Sequence, residues 1–236
     1  MDLVYVLKSE NFTDNELKYS LRSLEKYGYN YNRIFLIGGK PSSLDYDKII
    51  HLYFPDISNV CEFSVYIKIV FLCCKSDVSE NFILFNDDYY LLKPINLSCI
   101  PYYYKRQEIS LIYKHQNTFN EMAVFTREFL LKHNKSIFDF KPHYPIIYNK
   151  FKILELASLY KQSFKISPLG LSLRDLYCNW FNVENKVYKD DNKIINSDNF
   201  NFNLINVDLI SGSNNPSEKE NMFLNNKFFE KSKFEI

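Results

Sequence analysis

The chain has little glycine and little proline, 5 and 8 among 236 residues. No glycine falls at the spacing of the dinucleotide or phosphate-loop fingerprints, so neither Gly-rich nucleotide motif is present. Gly38-Gly39 could cradle a phosphate, but suits an ordinary turn better. The five cysteines, Cys61, Cys73, Cys74, Cys99 and Cys178, are odd in number and lack C-x-x-C or His-rich spacing. That argues against a zinc site and against a disulfide framework. They read as reduced, mostly buried thiols of a reducing compartment. No apolar run approaches the roughly 20 residues that span a bilayer. Met1-Asp2-Leu3-Val4 starts with an acid and a strand instead of a signal peptide. The formal net charge is +1, which calls for neither nucleic acid nor an acidic membrane surface. No internal repeat is visible. These absences together suggest a cytoplasmic protein, at most peripheral at an inner membrane.

Apolar residues make up 46% of the chain, enough for a substantial core. Phe and Tyr are abundant, 21 and 19, and Asn, Lys and Ile are common too, as in an AT-rich genome. Strands are expected over 3–7, 34–37, 49–54, 82–85, 89–92 and 109–113. Helices are expected from the Thr13–Glu16 capping box to Gly28, then over 60–75, 119–133 and 149–161, and from a Ser172 cap onward. Lys68 and Lys75 fall off the apolar face of the second helix. Tyr102-Tyr103-Tyr104 reads as a half-buried strand in preference to a sugar-stacking platform. Residues 190–216 read as a meander of short strands and loops, and Ser217–Glu220 as a second capping box opening a last helix. The strand–helix–strand opening predicts an α/β fold with a mostly parallel central sheet flanked by helices. A single domain is expected over 1–236, with a core over 1–184 and an irregular C-terminal segment over 185–236.

The chain is organised around Phe82-Ile83-Leu84-Phe85-Asn86-Asp87-Asp88. A short apolar run bounded by polar residues is a strand buried on both faces. Two carboxylates therefore stand at a strand's carboxyl end, where open α/β sheets bind ligands. Hard oxygen donors there suit Mg2+ or Mn2+ shared with phosphate oxygens. The same triplet equally suits an Asn-Asp-Asp turn. His143, fixed between Pro142 and Pro145, is a candidate base, although a lone His is more often a surface or satisfied core residue. Arg174 follows Ser172 in a first helical turn and is shaped for phosphate, although such an Arg is usually solvated. Arg22 flanks the apolar stripe of the first helix. None of these is diagnostic alone.

Asn15-Glu16-Leu17-Lys18-Tyr19-Ser20-Leu21-Arg22-Ser23 is very similar to the Asn-Glu-Leu-Arg-Tyr-Ser-Leu-Arg-Ser motif of the Stealth family. That family includes capsular polysaccharide phosphotransferases and the catalytic part of the lysosomal-enzyme N-acetylglucosamine-1-phosphotransferase. Asp2-Leu3-Val4-Tyr5 looks like its first block, Phe85-Asn86-Asp87-Asp88 resembles its Phe-Asn-Asp-Asp, and His143 with Pro145 resembles its His-x-Pro segment. Arg174 matches its later basic residue. The likeness runs with gaps over about residues 2–182. It departs where Val6-Leu7-Lys8-Ser9-Glu10 replaces the family's Trp-Val-x-Gly-x-Asp, and the final family block is absent.

The resemblance implies an A-type glycosyltransferase core. It implies transfer of sugar-1-phosphate from a nucleotide-diphosphate sugar to a hydroxyl of a surface or capsular polysaccharide acceptor. Asp87 and Asp88 would hold the metal, and Asp88, His143 and Arg174 would carry catalysis. Asn86, Lys8 and Arg22 would bind the donor. The nearest rival is a metal-dependent glycosyltransferase. A non-catalytic module holding a glycan or sugar nucleotide is a rival of another class. Donor sugar, acceptor and oligomeric state are not written in the sequence.

Overall fold

The computed structural model describes all residues except 11–13, 58–60, 111–117, 164–169, 195–197, 202–205 and 214–215. A five-stranded sheet runs through the middle, in the order β4 (Ile49–Leu52), β3 (Ile34–Ile37), β1 (Asp2–Val6), β5 (Asn81–Phe85), β9 (Ile146–Asn149). The first four are mutually parallel; β9 runs antiparallel to β5. Continuous apolar runs form the inner strands because both faces are covered. Val4, Phe35, Ile37, Phe82 and Leu84 face one layer, with Tyr66, Ile69 and Leu72 of α2 (Cys61–Lys75) and Leu176 and Tyr177 of α5 (Leu173–Trp180). The alternate residues Leu3, Tyr5, Leu36, Ile83 and Phe85 face the other, against Leu17, Leu21 and Leu24 of α1 (Asp14–Tyr27). Helices α3 (Thr118–Lys132) and α4 (Lys150–Ser163) complete the α2 side. The mostly parallel α/β architecture read from the sequence is therefore the observed one.

Short elements extend this core. β2 (Gly28–Tyr29) pairs with β7 (Ile95–Asn96), and β8 (Tyr102–Tyr104) pairs with β10 (Lys186–Tyr188). β6 (Tyr89–Leu91) pairs with β11 (Leu209–Ser211). Beyond it, α6 (Glu218–Lys227) adds Leu224 and Phe228 to a third cluster with Tyr19, Tyr90 and Ile210. No helix among the described residues is long and apolar enough to cross a membrane.

Several local readings change. Strand β9, ahead of the expected 149–161 helix, is not among the strands read from the sequence; Asn149 ends it and caps α4, its side-chain oxygen accepting from Phe151 and Lys152 N–H at 3.1 and 3.2 Å. Ile109 and Ser110 form no strand, and 111–113 lie outside the described residues, as does Thr13. Lys68 is not a solvated lysine: it is 1% exposed, and its ammonium donates to the Leu7 carbonyl at 2.7 Å and to Asp56 at 2.5 Å. Cys73 and Cys178 are buried, whereas Cys74 and Cys99 are exposed. Ser172 occupies the cap position of α5 but makes no capping bond. Ser217 does cap α6, accepting from Glu220 N–H at 3.2 Å, but the Glu220 carboxylate turns to Ser213.

Gly38 is used for close approach. It has φ 120°, and a Cβ there would lie 2.2 Å from the Leu7 carbonyl oxygen. The turn after β3 thus presses against the loop after β1, with Gly39 N–H donating to the Lys8 carbonyl at 3.0 Å. That contact favours the turn reading of Gly38-Gly39.

Candidate active site

Strands β1 and β5 are parallel neighbours with Tyr5 opposite Phe85, so their carboxyl ends open side by side. One end carries Lys8 and Ser9, the other Asn86, Asp87 and Asp88. The Asn86 carbonyl accepts from Tyr89 N–H at 3.2 Å, so the triplet does form a turn. Its carboxylates do more than shape that turn. Burial, together with the neighbouring charges of Asp88 and Glu16, pushes the Asp87 carboxyl up to about 7. Burial and Asp88 likewise raise Glu16, with Lys193 and Lys8 opposing. Glu16, read in the sequence as a capping residue, thus belongs to an acidic group with the paired aspartates.

Asp88 is held from three sides. Its Oδ2 accepts from Lys193 Nζ at 2.7 Å and from Ser211 Oγ at 2.6 Å, and its carbonyl accepts from Gly212 N–H at 2.8 Å. Below, the Tyr5 hydroxyl lies 2.9 Å from Ser20 Oγ, which in turn reaches the Asn86 carbonyl at 3.5 Å.

His143 sits in the rigid loop with φ 54°, the left-handed region uncommon for residues other than glycine. Its Nδ1 lies 2.7 Å from Asp191 Oδ1, and Lys105 Nζ lies 2.8 Å from Asp191 Oδ2. Burial works against the charge of Asp191, yet the bonds from His143 and Lys105 hold its carboxyl well below the usual range. An ionised carboxylate only accepts, so Nδ1 carries a proton, and in the neutral tautomer Nε2 is the nitrogen with the lone pair. Two residues on, Lys193 reaches Asp88. The segment 191–193, within the stretch that reads as a meander of short strands and loops, therefore links the His143 loop to the acidic group.

Arg174 lies behind these groups. It donates to the Tyr144 carbonyl at 2.6 Å and to the Tyr89 hydroxyl at 3.4 Å, next in sequence to His143 and Asp88. Burial opposes its charge, but Tyr89 and Tyr148 keep its pKa raised. Arg174 and Lys141 stabilise the charge of Glu62, whose carboxyl burial raises. Arg22 goes elsewhere: its guanidinium forms a two-pronged pair with Glu235 at 2.8 and 2.7 Å and donates to the Phe228 carbonyl at 2.9 Å. The structure thus gathers Lys8, Asn86, Asp87 and Asp88, links His143 to them, sets Arg174 behind, and commits Arg22 to the C-terminal segment.

Magnesium and manganese take oxygen donors, with one or two carboxylates supplemented by phosphate oxygens. Asp87 fits that chemistry as an oxygen donor beside Asp88 at the strand end; burial first, then the charges of Asp88 and Glu16, raise its pKa. Asp88 is already shared with Lys193. Among the described residues no three His, Cys, Asp or Glu side chains are grouped to hold a metal by themselves. A cation here would accordingly be shared with oxygens of a substrate.

No protein-family model and no curated protein matches the chain. Solved structures do. The galactosyltransferase LgtC in complex with donor and acceptor sugar analogs superposes with a TM-score of 0.53 at 11% identity, covering 99% of this chain and 98% of that one. An active-site mutant of LgtC gives 0.52 with the same identity and coverage. The glycosyltransferase GlyE of Streptococcus pneumoniae TIGR4 gives 0.41 at 9% identity, covering 81% of this chain and 45% of that one. The likeness to LgtC defines a glycosyltransferase-like fold. At this identity it is a likeness of architecture.

Proposed function

We propose that the chain is a nucleotide-sugar-dependent transferase, and that it moves sugar-1-phosphate to a hydroxyl of a glycan acceptor. The observation that carries this reading is the His143–Asp191 pair, linked through 191–193 to Asp88. A base and an acidic, cation-compatible group at strand ends are what transfer from a diphosphate donor requires. The Stealth-like motifs support attack at phosphorus.

His143 Nε2 takes the proton of the acceptor hydroxyl. The hydroxyl oxygen bonds to the phosphorus that carries the sugar. The bond from that phosphorus to the bridging oxygen breaks, and nucleoside monophosphate leaves with the electron pair. The product is a phosphodiester. Asp191 keeps the imidazole proton on Nδ1 throughout. Asp87 and Asp88 would hold Mg2+ or Mn2+, which when bound neutralises diphosphate charge. Lys8 and Asn86 stand beside the donor, and Arg174 adds fixed positive charge from behind Tyr89 and Tyr144. A role for Arg22 at the donor would require it to leave Glu235.

The glycosyltransferase-like fold favours one second reading, attack at the sugar carbon with release of nucleoside diphosphate. Incubation with a nucleotide-sugar panel, Mg2+ or Mn2+ and a capsule-type acceptor separates the two by mass spectrometry. Monophosphate and a phosphodiester product are expected. Diphosphate with a glycosidic product would replace the first reading with the second, and no turnover of any donor would remove both.

A further inference from the structure

Lys193 is tethered by its neighbours and free only in its stem. Asn192 N–H donates to the Pro142 carbonyl at 3.4 Å, and its side-chain amide donates to the Leu209 carbonyl at 3.1 Å. On the other side Ile194 N–H donates to the Ser211 carbonyl at 2.9 Å. The backbone of Lys193 is thus fixed, while its four-carbon stem can swing. Its ammonium lies 2.7 Å from Asp88 Oδ2, with side-chain exposures of 17% and 13% for the pair.

The ammonium also acts electrostatically on Glu16 and Asp87, and Lys8 acts on Glu16 from the end of β1. A divalent cation would add positive charge beside Asp87 and Asp88. A cation using Asp88 Oδ2 would compete with the ammonium for one oxygen. An ammonium displaced on a fixed tether stays next to the site. Among incoming groups it would find diphosphate oxygens, which suit a compact cation.

We propose that Lys193 is an exchangeable counter-ion, which neutralises Asp88 when no metal is bound, yields that carboxylate to a divalent cation, and then binds the donor's diphosphate. The Lys193–Asp88 pair is the geometry that carries the exchange; the exchange rests on the reading of Asp87 and Asp88 as cation ligands above, and the hand-over on the nucleotide-sugar reading.

The test uses Mn2+ alone, then pyrophosphate, with the whole chain and its Lys193→Met and Lys193→Gln variants in calorimetry. Without the competing ammonium, both variants should bind Mn2+ about 3- to 10-fold more tightly than wild type. With Mn2+ saturating, they should bind pyrophosphate about 10-fold more weakly. Equal or weaker Mn2+ binding in the variants overturns the exchange, and undiminished pyrophosphate binding overturns the hand-over. Wild-type protein supplies an arm that no folding defect can spoil. Acylation of Lys193, read by mass spectrometry, should rise several-fold on adding Mg2+ and fall again with pyrophosphate. Labelling indifferent to Mg2+ overturns the proposal. Should wild type bind neither pyrophosphate nor any nucleotide sugar, the transferase reading fails, while the Mn2+ comparison still decides whether Lys193 competes for Asp88.

Discussion

Asp191 Oδ1 lies 2.7 Å from Nδ1 of His143, a contact between residues 48 positions apart. The second oxygen of Asp191 is occupied by Lys105 at 2.8 Å, and the Lys193 N–H donates to Oδ1 at 3.1 Å. The carboxylate cannot rotate without losing one of these bonds, so it fixes the plane of the imidazole. It also fixes the tautomer, and with it the basic nitrogen.

Asp191→Asn should therefore lower turnover about 100-fold with little change in donor affinity, since the loss falls on proton removal in the transition state. The 15N spectrum of the His143 ring should change from a single Nδ1–H tautomer to a mixture. A merely structural role would move the melting point and leave the tautomer alone. Full turnover with a mixed tautomer would show that His143 is not the base.

Asp87 makes a prediction about stability. Its carboxyl is held at about 7 in the fold against an ordinary 3.8. Below both values the group is protonated whether the chain is folded or not, and contributes nothing. Between them only the folded chain keeps the proton, so stability falls as pH rises through that window. Above about 7 the full penalty is present. In chelator-treated protein, Asp87→Asn should match wild type in acid and be more stable by on the order of 1 to 3 kcal/mol at pH 8. Urea denaturation at the two pH values reads the difference. A variant less stable than wild type at pH 8 would mean that Asp87 is compensated in solution.

The strands and the acidic turn were legible because continuous apolar runs and adjacent carboxylates are local signals. Phe82, Ile83, Leu84 and Phe85 needed no partner to be read as buried. The rest of the site depends on contacts that no spacing encodes. Lys193 meets Asp88 across 105 positions, and Asp190-Asp191-Asn192-Lys193 looks like any solvated loop. Lys68 sits off its helix's apolar stripe, yet the Leu7 carbonyl and Asp56 give its ammonium a buried seat. Ser172 has the right residue type for a cap, but its side chain makes no capping bond. Arg22 falls in a motif associated with donor binding, and only the folded C-terminal segment reveals Glu235 as its partner.

That pair is itself testable. The Arg22 and Glu235 side chains are 10% and 5% exposed. Burial opposes the charge of Glu235, but Arg22 and Ser232 hold its carboxyl below the usual range. Arg22→Ala leaves a largely buried carboxylate unpaired and should cost about 3 to 5 kcal/mol. Donor and pyrophosphate affinities should stay near wild type below the melting point. Unchanged stability with lost donor binding would instead assign Arg22 to the substrate.

Arg174 requires a cycle, because it is placed both to hold the fold and to charge the site. Its guanidinium joins Tyr144 to Tyr89 and electrostatically favours the ionised form of Glu62. Arg174→Met alone should destabilise by about 1 to 3 kcal/mol, since the charged bonds to Tyr144 and Tyr89 are lost and Glu62 loses a charge that opposes its own. The loss should grow with pH, because Glu62 ionises above its raised pKa and then has only Lys141 to oppose its charge. Adding Glu62→Gln removes that charge, so the double variant should recover the part of the stability lost through it. Turnover should not recover with it, because the positive charge behind Tyr89 and Tyr144 is still missing. Chemical denaturation and single-turnover assays on the four proteins of the cycle separate the two effects. If activity returned together with stability, Arg174 would be a strut for α5 and the His143 loop, with no part in stabilising the transferred phosphate.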